Sequence, residues 1–305
     1  MTPEVFQVVK ERLVEVSPYV KVLVLYHGGE PLLNPRLSQM VRDCRSVLHL
    51  EKLKIVTNGM LLDLDCSQDL IDAGVTDFEI SIDGNSKEEN ERIRIGADTD
   101  KIFSNLANLI QLIEGTNVEV KISNTQIREA EGLTSQENVE SDWIRERLLR
   151  STGWQSATKV VPAIRWPSMG DRGVLDVAPL KGKPLSGMVC DHTINTFTIR
   201  FDGKVVPCCY DLMTDLPMGN IIESSLLEIW KGYSYQNLRS SIHRGEPPKP
   251  CDTCAVLVGG QQLRWKSEAV SVDLGRPRRS ELQHIELLKA PNPTTNVTQS
   301  TIDLE

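Results

Sequence analysis

The sequence predicts an α/β protein built on a parallel sheet and joined to a smaller, cysteine-rich α+β unit. Three observations carry this. Between Val20 and Ile164, short apolar runs rich in β-branched residues alternate with stretches of helical periodicity. Polar, mostly glycine-bearing turns follow the same end of successive runs. Five of the seven cysteines crowd between Cys190 and Cys254.

The apolar runs place strands at Val20–Tyr26, Leu53–Thr57, Phe78–Ile82, Val118–Ser123 and Thr158–Ile164. Helical spacing falls at Thr2–Val16, Pro35–Leu48, Ser67–Ala73, Thr99–Glu114 and roughly Ser135–Arg150. A crossover therefore separates each strand from the next, which is the pattern of right-handed βαβ units. The turns read "HGGEP" after the first strand, "TNG" (Thr57–Gly59) after the second, "SIDG" (Ser81–Gly84) after the third and "SNT" (Ser123–Thr125) after the fourth. Taken singly, such turns use Gly, Asn and Asp for backbone permissiveness. Taken together they mark the C-terminal ends of strands, where barrels and doubly wound sheets both build their sites.

Beyond Ile164 the pattern changes. A Pro/Gly-rich connector (165–186) leads to "NTFTIRFDGKVVPCC", whose alternation around Asp-Gly reads as a hairpin, and then to "SSLLEIWKGYSYQNLRSSI" with helical spacing. The divisions expected are 1–164, the connector, a second unit at 187–266, and a polar, unfolded tail at 267–305.

Composition limits the function. With 305 residues and 40% apolar content the chain can bury a substantial core. No run approaches the roughly 20 apolar residues of a membrane span, and the N-terminus is amphipathic rather than basic-then-apolar, so a cytoplasmic location is expected. A formal charge of −8 argues against nucleic acid as partner and for a small molecule or a peptide. Asn296-Val-Thr fits a glycosylation acceptor only by chance in that setting.

An odd cysteine count without a secretion signal points to metal or redox chemistry rather than disulfides. Cys44 and Cys66 stand alone in apolar-periodic segments and read as buried small hydrophobes. Cys251-Asp-Thr-Cys254 is a Cys-x2-Cys pair, and a hairpin can bring further thiols to it. Four soft thiolates select zinc or an iron–sulfur cluster, a choice that residue type leaves open. A zinc ribbon is the rival reading, although it usually presents two Cys-x2-Cys knuckles. On a strand, Cys208 and Cys209 would point to opposite faces, leaving one of them spare.

The run "GGEP", then "TNG", "SIDG" and the helix "ERIRIGADTDKIFSNLANLI" resembles the radical S-adenosylmethionine enzymes. Cys190, "FDGKVVPCCYD", "MGNIIESSLLEIW" and "CDTC" are similar to the SPASM or twitch extension of that family. The resemblance covers roughly Met1 to Cys254. It implies a partial (β/α)6 TIM-like barrel missing its first strand, followed by a small cysteine-rich α+β auxiliary-cluster domain. It implies that Gly28, Gly29 and Glu30 lie against the methionine end of the cofactor. Ser81 and Asp83 would face its sugar or carboxylate, with Asn58 and Ser123 weaker assignments; Arg92 and Arg94 fall in the following helix segment, where the readings are a cofactor contact and, favoured over it, a solvated face. Cys190, Cys208, Cys251 and Cys254 match the twitch pattern for one auxiliary [4Fe–4S] cluster.

The family's chemistry also takes a Cys-x3-Cys-x2-Cys loop, which this sequence does not contain. The first strand and that loop are expected before Met1, which would make the chain a late start, a truncation or a degenerate homologue. A second [4Fe–4S] cluster would come only with a longer N-terminus. By resemblance, the intact form uses a 5′-deoxyadenosyl radical to oxidise or modify a small molecule or peptide, with a reductant such as flavodoxin or ferredoxin. The absence of an added peptide-binding segment leans toward a small substrate. The other readings are a non-catalytic cluster-binding remnant and a zinc-ribbon protein with a doubly wound domain.

Overall fold

The computed structural model describes residues 1–84, 86–126, 142–153, 158–162, 183–254 and 256–257. The expected tail at 267–305 and most of the connector lie outside the described residues. Helix α1 (Pro3–Glu15) starts where Thr2 caps the Val5 amide and Pro3 presets the first turn, and it buries Phe6, Val9 and Leu13. Strand β1 (Val22–Val24) leads through the Gly-Gly turn to α2 (Leu37–Val47), and β2 (Lys52–Thr57) follows. Helix α3 (Leu64–Ala73) begins at the Asp63 cap and ends at Gly74 in the left-handed conformation. Then come β3 (Asp77–Asp83), α4 (Lys87–Ile93), α5 (Thr99–Leu112), β4 (Glu119–Gln126), α6 (Asp142–Thr152) and β5 (Thr158–Pro162).

The five strands are all parallel and lie in sequence order, β1-β2-β3-β4-β5. Sequential order with right-handed crossovers puts the helices on one face, which is the partial barrel expected. Alternation assigns the two faces. Leu53 and Ile55 of β2, Phe78, Ile80 and Ile82 of β3, and Val120 and Ile122 of β4 join the helices in one buried apolar core. The intervening residues are Lys52, Lys54 and Val56, then Asp77, Glu79 and Ser81, then Glu119, Lys121 and Ser123.

That concave face is therefore polar and paired. Lys52 Nζ lies 3.2 Å from both Asp77 Oδ1 and Glu119 Oε2, Lys121 Nζ lies 3.1 Å from Glu119 Oε2, and Lys54 pairs with Glu79. Among the described residues β1 pairs only with β2, and its Val24 is exposed.

The second unit holds α7 (Asp191–Asn195) and an antiparallel sheet of β6 (Thr198–Ile199), β7 (Lys204–Val206) and β8 (Gly219–Asn220). Helices α8 (Leu226–Lys231) and α9 (Tyr233–Arg244) follow. Their side chains form a separate apolar cluster around Tyr235, Leu238 and Val205, while Ile221 and Leu226 pack into the barrel core.

Several expectations need correction. The single helix read from Ser224 onward is two, because Gly232 adopts an extended conformation that ends α8 and caps α9. The helix read from Glu91 to Ile110 is also two: α4 starts earlier, at Lys87, and ends at Ile93, and α5 begins only at Thr99. β4 continues past its expected end at Ser123 and runs through "SNT" to Gln126, so that stretch is strand rather than turn. β7 stops at Val206, so Cys208 and Cys209 occupy the following turn, and strand alternation does not govern their side chains.

Candidate functional site

The sheet's C-terminal edge forms a cavity of about 290 Å3 lined by Tyr26, Gly29, Glu30, Val56, Thr57, Asn58, Ser81 and Arg94. The expected contacts Gly29, Glu30, Asn58 and Ser81 line it; Gly28, Asp83 and Ser123 are not among its lining residues. Tyr26, Thr57 and Arg94 are additions. Tyr26 and Thr57 are legible as the last residues of the expected strands Val20–Tyr26 and Leu53–Thr57, whereas Arg94 carries no motif of its own.

Glu30 organises this cavity. Its Oε1 accepts from Thr57 Oγ1 at 2.7 Å and from the Leu32 amide at 3.0 Å, and its Oε2 accepts from the Asn58 amide at 2.8 Å. The carboxylate thus ties the end of β1 to the end of β2 and caps the short 3₁₀ turn Pro31–Leu33. With three of roughly four acceptor positions occupied internally, one on Oε2 remains for a ligand donor. Asn58 is also spent locally, its Oδ1 accepting from the Met60 amide at 2.9 Å.

The third turn is clamped from behind. Asn90 Oδ1 accepts from the Asp83 amide at 2.9 Å, and the fully buried Asn124 donates to the carbonyls of Ile82 and Gly84, each at 2.9 Å. Gly84 adopts a φ of +73°, and a Cβ there would lie 2.5 Å from Glu89 Cγ. Asp83 is buried with Oδ2 at 2.8 Å from Arg94 Nε, while its Oδ1 has no hydrogen-bond partner among the described residues. Arg94 therefore leaves the solvated face expected for it and lines the cavity; Arg92, 77% exposed along its side chain, stays there.

The cysteines form a second centre. Cys190 precedes α7, Cys208 follows β7, and Cys251 and Cys254 flank a 3₁₀ turn. None is disulfide-bonded. Burial pushes the Cys190 thiol up to about 11 and Cys208 to about 12, and it raises Cys251 and Cys254 as well. Neighbouring thiols add to this at three of them: Cys251 feels Cys208, Cys254 and Cys190, Cys208 feels Cys209, Cys190 and Cys254, and Cys190 feels Cys254. Cys209 feels Cys254 alone of this set. Buried neutral thiols must lose protons to become ligands, so metal binding here releases protons.

Among the described residues, no three His, Cys, Asp or Glu side chains converge on one ion-sized position. Four neighbouring, unbonded thiols are a donor set for zinc or for an iron–sulfur cluster alike. Cys44 is buried in the core as expected, and burial pushes its thiol up to about 11, whereas Cys66 is only partly buried against that core.

The two centres meet. A Cβ on Gly28, whose φ is +62°, would lie 2.8 Å from Leu212 Cδ2, so the cavity turn packs on the loop that follows Cys208 and Cys209. Burial raises Tyr26 to about 12, with Cys209 and Glu79 adding to the effect.

Comparison with known proteins agrees with this geometry. The sequence profile of the radical SAM superfamily matches residues 2–125, and that of the SPASM iron–sulfur cluster-binding domain matches residues 190–255. Residues 2–125 thus form a radical SAM superfamily domain and residues 190–255 a SPASM domain. Both centres lie within the matched segments. This radical SAM/SPASM chain is 26% identical over 289 residues to the PqqA peptide cyclase of Granulibacter bethesdensis, covering 86% of this chain and 75% of that protein. It is 21% identical over 206 residues to the GTP 3′,8-cyclase of Alkaliphilus metalliredigens, covering 60% of this chain and 63% of that protein. Among solved structures, BtrN in an open conformation superposes with a TM-score of 0.51 at 17% identity, covering 87% of this chain and 86% of that one. Native anSMEcpe with bound AdoMet gives 0.51 at 14% identity, covering 85% and 80%. At these identities the solved structures attest the fold. Among the described residues no helix is long and apolar enough to cross a membrane.

Proposed function

We propose that this protein holds one auxiliary [4Fe–4S] cluster on Cys190, Cys208, Cys251 and Cys254 and S-adenosylmethionine in the cavity at the strand ends. The observation that carries the reading is the pair of centres itself, four mutually neighbouring thiols beside a cavity framed by the Gly-Gly-Glu turn. When bound and reductively cleaved, the cofactor supplies a carbon-centred radical able to abstract hydrogen from a substrate.

The chain's own residues bind and orient. The free acceptor position on Glu30 Oε2 suits an ammonium, and Gly29, where a Cβ would meet nothing within 4 Å, keeps the cavity mouth clear for close approach of a ligand. Ser81 offers a hydroxyl to the ligand, and the Arg94 cation, held by Asp83, supplies positive charge at the cavity wall. Gly28 and Asp83 act from behind as supports, and Ser123 extends the polar face beside Ser81.

Cleavage further takes three thiolates on one loop, and no part of this sequence forms a Cys-x3-Cys-x2-Cys loop. The 305 residues by themselves are therefore expected to bind the cofactor rather than cleave it. The substrate class is a peptide or small molecule; the length of the match to a peptide cyclase favours a peptide. A reductant such as flavodoxin or ferredoxin and a cytoplasmic location belong to the same reading.

Anaerobic reconstitution with iron and sulfide tests the cluster. About four irons and a brown chromophore support it; a colourless protein with one zinc contradicts it.

A further inference from the structure

The contact between the two centres is built from particular residues, and its two sides are each braced independently. On the barrel side Glu30 fixes the turn through three hydrogen bonds to Leu32, Thr57 and Asn58. On the cysteine side the buried Asp211 carboxylate accepts from the Asp215 amide at 2.8 Å and the Leu216 amide at 3.0 Å, and the Asp211 amide donates to the Cys208 carbonyl at 3.3 Å. Arg200 donates to the Leu212 carbonyl. Neither side has much freedom to absorb a displacement of the other.

His27 stands between them. It precedes Gly28, which packs on Leu212, and follows Tyr26, which lines the cavity. The Cys209 backbone lies against its imidazole, and the charges of Arg200 and Asp211 reach it from the same unit. Its Nε2 is buried and has no hydrogen-bond partner among the described residues. An imidazole with one nitrogen buried and unpartnered, at the contact between two braced loops, is a junction that a small shift can make or break.

We propose that His27 is a positioning residue that seats the cavity turn Tyr26–Glu30 on the cysteine loop Cys208–Leu212, so that occupancy of the cavity is transmitted to the cysteine centre. This rests on the assignment of the two centres above, but the contact itself does not. A ligand that pulls on the Gly-Gly-Glu turn moves His27, and the braced loop carries the movement to Cys208. By reciprocity, the state of the cysteine centre alters affinity in the cavity.

Two measurements on the full chain test this. The first is hydrogen exchange without any cofactor, comparing wild type with His27→Ala and His27→Gln. His27→Ala should accelerate exchange of the Asp211, Asp215 and Leu216 amides about tenfold while leaving α5 unchanged, and His27→Gln, which keeps a donor for the Cys209 backbone, should restore part of the protection. Unchanged exchange in His27→Ala overturns the proposal, as does acceleration spread evenly over the whole chain.

The second is electron paramagnetic resonance of the reconstituted, reduced protein with and without S-adenosylmethionine, alongside calorimetry. Wild type should show a cofactor-dependent change in the cluster signal that His27→Ala loses. A change of equal size in His27→Ala, or none in a wild type that calorimetry shows to be saturated, overturns it. A protein that gives no binding heat contradicts the cavity assignment instead, and the exchange result then decides the role of His27 alone.

Discussion

The barrel and the cysteine unit make their sites in opposite ways. In the barrel, alternating residues of β2, β3 and β4 fill one apolar core with the helices, and the cavity residues are held by hydrogen bonds among themselves. That framework is complete without a ligand. The cysteine unit has strands of two or three residues and a small apolar cluster that includes Cys190 and Cys254 themselves. Burial keeps its thiols protonated until something binds them. One half folds to make a site; in the other, by the assignment proposed above, a bound centre is expected to complete the fold.

The largest effect should therefore follow loss of the ligands. Replacing Cys251 and Cys254 together with Ala is expected to remove the iron and lower the melting temperature of the cysteine unit, followed by iron assay and calorimetry. Cys209→Ala should keep about four irons; loss of iron in that variant would reassign the ligand set.

A core change in the barrel sharpens the contrast. Ile55→Ala, at a fully buried position, is expected to destabilise the protein by about 2–5 kcal/mol in urea, equally with and without iron. A cost that depended on iron would mean that the two halves do not differ as described.

Glu30→Ala should come next. It leaves the Thr57 hydroxyl and the Asn58 amide without their acceptor, costing about 1–3 kcal/mol, and calorimetry should show weakened binding of S-adenosylmethionine.

The legibility of the molecule divides along the same line. Strands β2 to β5 are readable because β-branched runs between turn residues leave little choice of period, and β1 only shrinks to Val22–Val24. Gly29, Glu30, Asn58 and Ser81 are readable as turn chemistry at strand ends. Arg94 is not, since its place depends on α4 and on the charge of Asp83, which no spacing reports. Neither is the fate of Cys208 and Cys209, because a strand that ends two residues early changes which rule governs the thiols. The docking of Gly28 on Leu212 joins residues far apart in sequence, and only the fold brings them together.

The smallest effect concerns the paired concave face. Burial opposes the charge on Glu119, but hydrogen bonds from Lys121 and Lys52 outweigh it and hold the carboxyl below its ordinary 4.5. A depressed carboxylate stabilises the fold above 4.5 and loses that contribution as pH falls through the folded value. Glu119 is half exposed, so the effect is screened. Glu119→Gln should lower the melting temperature slightly at neutral pH, and the difference should shrink and then vanish as the pH falls below 4.5 through the lowered folded value.

The central claim is that the cysteine unit is an iron–sulfur fold attached to a preformed barrel site. Iron and acid-labile sulfide per chain, counted after anaerobic reconstitution of the full protein, test it most directly. About four of each, lost in the Cys251→Ala, Cys254→Ala protein while the barrel's near-ultraviolet circular dichroism persists, is the predicted result. One zinc, no sulfide and a stable colourless protein would contradict it.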